Sequence, residues 1–269
     1  MNAHELYKAG QLTEAIEAQI QEVKKHAADQ SRRLFLFELL AFAGELDRAR
    51  RQIDALNYEE PELLAAVQSY RNLLDSEQAR RNLWKTGQAP QFLEGIPDHV
   101  QLRLEAVRHL REDRPAEASA ALQQANETAP AVKGKLNGQP FEELRDCDDL
   151  FAHVVEVMAM GKYFWVPLEQ IIVLGVSPPR YPRDLLWRPA QLETLNGQSG
   201  EVFLPTTYPK THESEDPQLK LGRLTDWQEL DGGSALGVGC RMWLHGDDAV
   251  SLMEIKTLEL DHPEPPPEG

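Results

Sequence analysis

The stretch "AGQLTEAIEAQ" (residues 9–19) returns 34 residues later as "AGELDRARRQI" (residues 43–53), with Gly, Leu and Ala in the same places. An interval of 34 residues is the tetratricopeptide period, in which each unit is a helix, a turn and a second helix. In this register Gly10 and Gly44 are turn glycines, and Ala15 and Ala49 are the small residues where paired helices cross closely. A third, more degenerate copy lies at "REDRPAEASAALQQANETAP" (residues 111–130), with Ala118 in the crossing position. Pro61 follows Ala49 by 12 residues and Pro130 follows Ala118 by 12, so the terminating proline keeps its phase. The copy expected near residue 83 is missing. A long helical pattern from Pro61 to about Lys85 and the Gly/Pro-punctuated "TGQAPQFLEGIP" (residues 86–97) stand in its place.

Working outward, the flanking residues obey helical spacing. Leu6, Ala9, Ile16, Ile20 and Val23 recur every three or four residues, as do Leu36, Leu39, Leu40, Ala43, Leu46, Ala49 and Ile53. On the long segment, Leu63, Leu64, Val67, Tyr70, Leu73, Leu74 and Leu83 fall on one side, and a helix pair is expected from Asp98 to about Thr128. "VKGKLNGQPFEELRDC" (residues 132–147) reads as a linker with a short helical turn, followed by a helix from Asp148 to about Met160. From Gly161 the grammar changes to short runs rich in Val, Ile, Leu and aromatics, separated by Gly, Pro, Asn and Asp, as in an antiparallel β domain. The expected fold class is α+β: a degenerate tetratricopeptide-like helical array over 1–135, a linking helix over 136–161, and a small antiparallel β domain over 162–261. An SH3-like barrel is one candidate topology for that domain. The Pro/Glu-rich tail, 262–269, is expected to be disordered.

Charge narrows the partners. The net charge is −16; residues 1–140 carry 18 Lys/Arg and 21 Asp/Glu, while residues 141–269 carry 10 and 23. Such a surface repels phosphate backbones and anionic membranes, so neither nucleic acid nor a membrane is expected as a partner. Two distant cysteines, Cys147 and Cys240, form neither a disulfide framework nor a zinc motif, and no apolar leader or spanning segment is visible. A cytoplasmic protein is expected.

No HExxH, Walker loop, GxSxG or CxxC pattern is present, so no enzymatic activity, cofactor or metal is expected. The acids of "RDCDDLF" (residues 145–151) crowd around Cys147. A site on Asp146, Asp148 and Cys147 competes there with plain helix-capping acids. Asp247 and Asp248 in "HGDDAV" read as a hairpin turn. Helical arrays present a concave groove suited to an extended or helical peptide. In register, His4 and Tyr7 of the first unit and Leu34, Glu38 and Ala41 of the second face it. In the second half Trp165, Arg183, Trp187 and Arg188 stand in "YFWVP" and "PPRYPRDLLWRPA". Such residues either stack inside a small β domain or form an interaction surface.

"AGQLTEAI", "RRLFLFELLAFAGELDRAR", "YFWVP", "RDLLWRPA", "GEVFLPTTY", "LGRLTDW" and "LMEIKTLEL", in this order, resemble the ImpE family, also called TagJ or SciE-type proteins. One departure is Ala27 in "KKHAAD", where the family often has Pro. The resemblance implies a cytoplasmic, non-enzymatic accessory protein of type VI secretion. It also implies binding to the small subunit of the contractile sheath through a helix near that subunit's N-terminus, and a link to the AAA+ ATPase that disassembles the sheath. No catalytic residues carry over. Self-association through the β domain, as a homo-oligomeric scaffold, is the alternative.

Overall fold

Three helical hairpins carry the repeat. They are α1 (Ala3–Lys8) with α2 (Leu12–Lys25), α3 (Gln30–Phe42) with α4 (Leu46–Asp54), and α6 (Asp98–Arg111) with α7 (Pro115–Thr128). The turns share one hydrogen-bond pattern. Gly10 N–H donates to the Tyr7 carbonyl and Gln11 N–H to that of Leu6, and Gly44 and Glu45 repeat this on Ala41 and Leu40. Asp113 and Arg114 do the same on Leu110 and His109. This is the Schellman closure, which needs a left-handed residue. Gly10 (φ +81°), Gly44 (+79°) and Asp113 (+56°) supply it. Five residues on in each unit, Ala15, Ala49 and Ala118 are fully buried, because only a methyl group fits where the helices cross.

The structure, a computed structural model, describes residues 1–262; residues 263–269 of the expected disordered tail lie outside them. The missing repeat is replaced by α5 (Pro61–Thr86), 26 residues long, with Pro61 in its first turn and Gly87 (φ +79°) closing its end. Val67, Tyr70, Leu73, Leu74 and Leu83 are buried on it as expected, whereas Leu63 (41% exposed) and Leu64 (50%) protrude.

The expected linking helix is absent. Residues 134–159 instead form β1 (Gly134–Leu136), β2 (Gln139–Phe141), β3 (Leu144–Asp146) and β4 (Val154–Ala159). There follow β5 (Lys162–Pro167), β6 (Ile171–Val176), β7 (Trp187–Thr194), β8 (Ser199–Pro205), the single-turn α8 (Pro217–Lys220), β9 (Thr225–Glu229), β10 (Ala235–Gly239), β11 (Met242–His245), β12 (Asp248–Ser251) and β13 (Thr257–Leu260). Eight of these make one antiparallel sheet in the order β2-β1-β13-β6-β7-β8-β4-β5. Its ends, β2 and β5, do not pair, so the sheet stays open and the SH3-like barrel does not form. Beside it lie the three-stranded β3-β11-β12 and the two-stranded β9-β10 hairpin. The expected turn at Asp247 joins β11 to β12.

β4 explains the misreading. Val154 and Met158 point into a core shared with the helices, and Val155 and Val157 into a second core within the sheet region. A strand buried on both faces loses the alternation that marks a strand in sequence. The loop before α6 also joins the sheet: Gln91 N–H donates to the Tyr163 carbonyl and Trp165 N–H to that of Gln91.

Candidate interaction surface

The inner face of α3 is the natural start for a groove, and the chain fills it itself. Phe37 stacks on Tyr70 of α5 at 5.5 Å and tilts against Trp187 at 6.4 Å. Residues 181–186, between β6 and β7, and Trp187 at the start of β7 lie across it. The Arg183 guanidinium sits 4.4 Å from the Tyr70 ring centroid and 4.0 Å from that of Tyr181. Its Nη1 is 3.6 Å from Glu38 Oε1. Burial pushes the Glu38 carboxyl up to about 7, against the pull of Arg183.

The sequence-derived candidates therefore separate. His4 is exposed and stacked on Phe35 at 3.8 Å, Tyr7 is half-buried, and Leu34 is half-buried on α3. Glu38 and Ala41 are buried. Trp165 is buried at the junction, its Nε1 donating to the Tyr163 hydroxyl at 2.5 Å. Trp187 is buried, and Arg188 is buried with Nη1 against Met253 Sδ at 3.9 Å. Ala41, Trp165, Trp187 and Arg188 are thus packing residues rather than contact residues, and Arg183 with Glu38 is an internal latch. Of the candidates on α1 and α3, His4, Tyr7 and Leu34 keep accessible surface, with His4 and Tyr7 both against Phe35.

Behind this face an ion network joins helices to sheet. Arg80 of α5 donates Nε and Nη2 to Glu156 of β4 at 2.7 and 2.8 Å, and Nη2 also to the Thr207 carbonyl at 2.8 Å. Arg241 pairs with Glu156 and, at 2.6 Å, with Asp146, whose other oxygen accepts from the Tyr208 hydroxyl at 2.7 Å. Burial alone would raise the Glu156 carboxyl, but Arg80 and Arg241 outweigh it and hold it below the usual range.

The acids of "RDCDDLF" serve the backbone. Asp148 accepts from Leu150 N–H at 2.8 Å and Gly237 N–H at 2.7 Å, and Asp149 from Ala235 N–H at 2.8 Å. Burial, then Asp146 beside it, pushes Asp148 up to about 7. Burial with neighbouring Asp146 pushes the Cys147 thiol up to about 11, the wrong direction for a nucleophile. Among the described residues no group of His, Cys, Asp and Glu is placed to hold a metal ion, and no helix is long and apolar enough to cross a membrane.

Sequence reading assigned no role at the helices to the segment from Thr206 to Cys240, which runs along the hairpin turns. A β-carbon on Gly10 would lie 1.9 Å from Gln218 Nε2, and one on Gly44 would lie 2.7 Å from the β-carbon of His212. Arg223 donates to the Tyr7 carbonyl at 2.8 Å and the Lys8 carbonyl at 3.1 Å. Ser234 bonds Ser119 of α7 at 2.8 Å. A cavity of about 230 Å³ lies between the α6–α7 turn and the β9–β10 hairpin, with Trp84, Asp113, Phe151, Lys210, Gln228 and Leu236 in its wall. The two glycines were legible, but the residues pressing on them carry no motif.

Known proteins share this arrangement. The model of a family described as "ImpE protein" matches residues 138–259. A Pseudomonas aeruginosa protein named "Type VI secretion system accessory component TagJ" is 33% identical over 261 residues, 97% of this chain and 92% of that protein. The crystal structure of protein VPA1032 from Vibrio parahaemolyticus superposes with a TM-score of 0.88 at 26% identity, covering 97% of this chain and 98% of that one. With the relative matched along nearly its whole length and the family model on the sheet, this chain belongs to the ImpE family.

Proposed function

We propose that the chain is a cytoplasmic, non-enzymatic accessory component of a type VI secretion system. It binds the small subunit of the contractile sheath through a helix near that subunit's N-terminus and connects it to the AAA+ ATPase that disassembles the sheath. The observation that carries this reading is the match to a type VI accessory component over 97% of the chain. The helical hairpins act as a tetratricopeptide-like array whose free surface is not the filled inner groove but its outer end. His4, Tyr7 and Leu34 keep accessible surface on α1 and α3, and Leu63 and Leu64 are exposed apolar side chains on the first turn of α5. An amphipathic helix would set apolar anchors against these residues at i, i+3 and i+4.

Titration with a synthetic peptide of the sheath subunit's first helix tests the reading. Saturable micromolar binding is expected, weakened about tenfold or more by Leu34→Asp or Leu64→Asp. No saturable binding overturns helix capture. Binding that both variants leave unchanged moves the site off these residues.

A further inference from the structure

The β9–β10 hairpin has two edges that the chain treats differently. Cys240 N–H donates to the Leu224 carbonyl and Leu230 N–H to that of Ser234, which fixes the alternation of the antiparallel pair. Asp226 and Gln228 therefore direct their backbone groups toward β10, and Thr225, Trp227 and Glu229 direct theirs outward. On β10 the outward N–H groups of Ala235, Gly237 and Gly239 are each taken up, by Asp149, Asp148 and the Thr211 hydroxyl. On β9, by contrast, no strand among the described residues pairs with the outer edge. Residues 226–229 are all exposed, and Trp227 leaves 40% of its surface open. The one bond made by an outward amide there goes to the neighbouring side chain: Trp227 N–H donates to Asp226 Oδ1 at 2.9 Å.

We propose that the outer edge of β9 is a docking site for an extended, basic segment of a partner protein, added as a third strand. The occupant follows from charge and from the two faces of the hairpin. Residues 225–239 contain three acids, Asp226, Glu229 and Asp231, and no Lys or Arg. Trp227 and Glu229 share one face, where a lysine in the added strand meets both a carboxylate and an indole ring. On the opposite face the added strand runs beside Asp226, Gln228 and, at the end of β9, Leu230, with Leu236 and Val238 one strand further on in β10, so an apolar residue at the end of the added strand meets Leu230. Main-chain bonds give affinity and the alternating side chains give selectivity. Two copies pairing β9 to β9 would bring together two hairpins that each carry three acids and no base, so a second copy of this chain is disfavoured.

The test uses the full chain and a capped hexapeptide alternating lysine and valine, with its glutamate–valine counterpart as control. The lysine peptide is expected to bind saturably, to slow amide exchange at Trp227 and Glu229, and to weaken as salt rises. Removing the charge with Asp226→Asn and Glu229→Gln should cost about tenfold in affinity. Glu229→Pro deletes one outward amide on an edge strand, where proline is tolerated, and should abolish binding while the melting temperature holds. Equal binding of the glutamate peptide, full binding by Glu229→Pro, or protection elsewhere with none at β9 overturns the proposal. So does light scattering that shows a dimer lost in Glu229→Pro. None of these outcomes depends on whether the sheath helix binds.

Discussion

Arg80 of α5 and Glu156 of β4 meet as a two-point ion pair, at 2.7 and 2.8 Å, across the seam between helices and sheet. Both side chains are buried, and Arg241 shares the same carboxylate. Glu156→Ala would take the bidentate carboxylate from Arg80, leaving it the longer 3.6 Å contact to Glu77, and would leave Arg241 with Asp146 alone in a dry seam. The expected loss is about 3–5 kcal/mol, measured by urea unfolding. Adding Arg80→Met to that variant should recover part of it, so the double-mutant cycle should show strong coupling. Additive losses would refute the pairing.

The three turns predict opposite responses to the same kind of change. Gly44→Ala places a β-carbon at φ +79° and against His212, and should cost about 2 kcal/mol. Asp113 holds the equivalent left-handed position with a side chain. Asp113→Gly should therefore stabilise by about 0.5–1 kcal/mol. Thermal unfolding of both variants checks the pair of signs.

Ala49 lies at a helix crossing with no accessible surface. Ala49→Leu inserts three carbons into that contact and should destabilise by about 1–3 kcal/mol. A replacement tolerated without loss would mean that α3 and α4 cross elsewhere.

Glu38 gives a pH dependence. Its carboxyl is raised from 4.5 to about 7 by burial, against Arg183. The folded chain therefore holds a proton that the unfolded chain releases. The associated stability is full below about pH 4.5 and is lost as pH rises through 7. Glu38→Gln removes this slope. Relative to wild type it should gain stability between pH 5 and pH 8, by up to about 3 kcal/mol at roughly 1.4 kcal/mol per pH unit. Unfolding curves at the two pH values measure the difference.

Local rules made the helical hairpins readable. A glycine that must be left-handed and an alanine that must be small leave marks at fixed spacing, and Gly10, Gly44, Ala15 and Ala49 carry them. The stretch from Asp148 to Met160 failed for a nonlocal reason. Leu150, Val154, Val157 and Met158 fit helical spacing, but β4 is buried on both faces, so its apolar run carries no period of two. Asp148 and Asp149, which look like acids opening a helix, instead accept from amides of β10 that lie 89 and 86 residues away. Of the nine candidate contact residues, His4, Tyr7 and Leu34 keep accessible surface on α1 and α3. Trp187 and Arg183 fill the groove that periodicity alone leaves empty. Aromatic and arginine composition does not distinguish a plug from a surface.

The segment along the turns has a consequence for how this protein can vary. Open repeat arrays lengthen and shorten by whole units, since each unit touches only its neighbours. Here Gln218 is fitted to the first turn, His212 to the second, and Ser234 to the last hairpin. Inserting or deleting one unit would put every later contact out of step with its partner at once. The array behaves as a gauge of fixed length, free to change at its surface and closed to duplication.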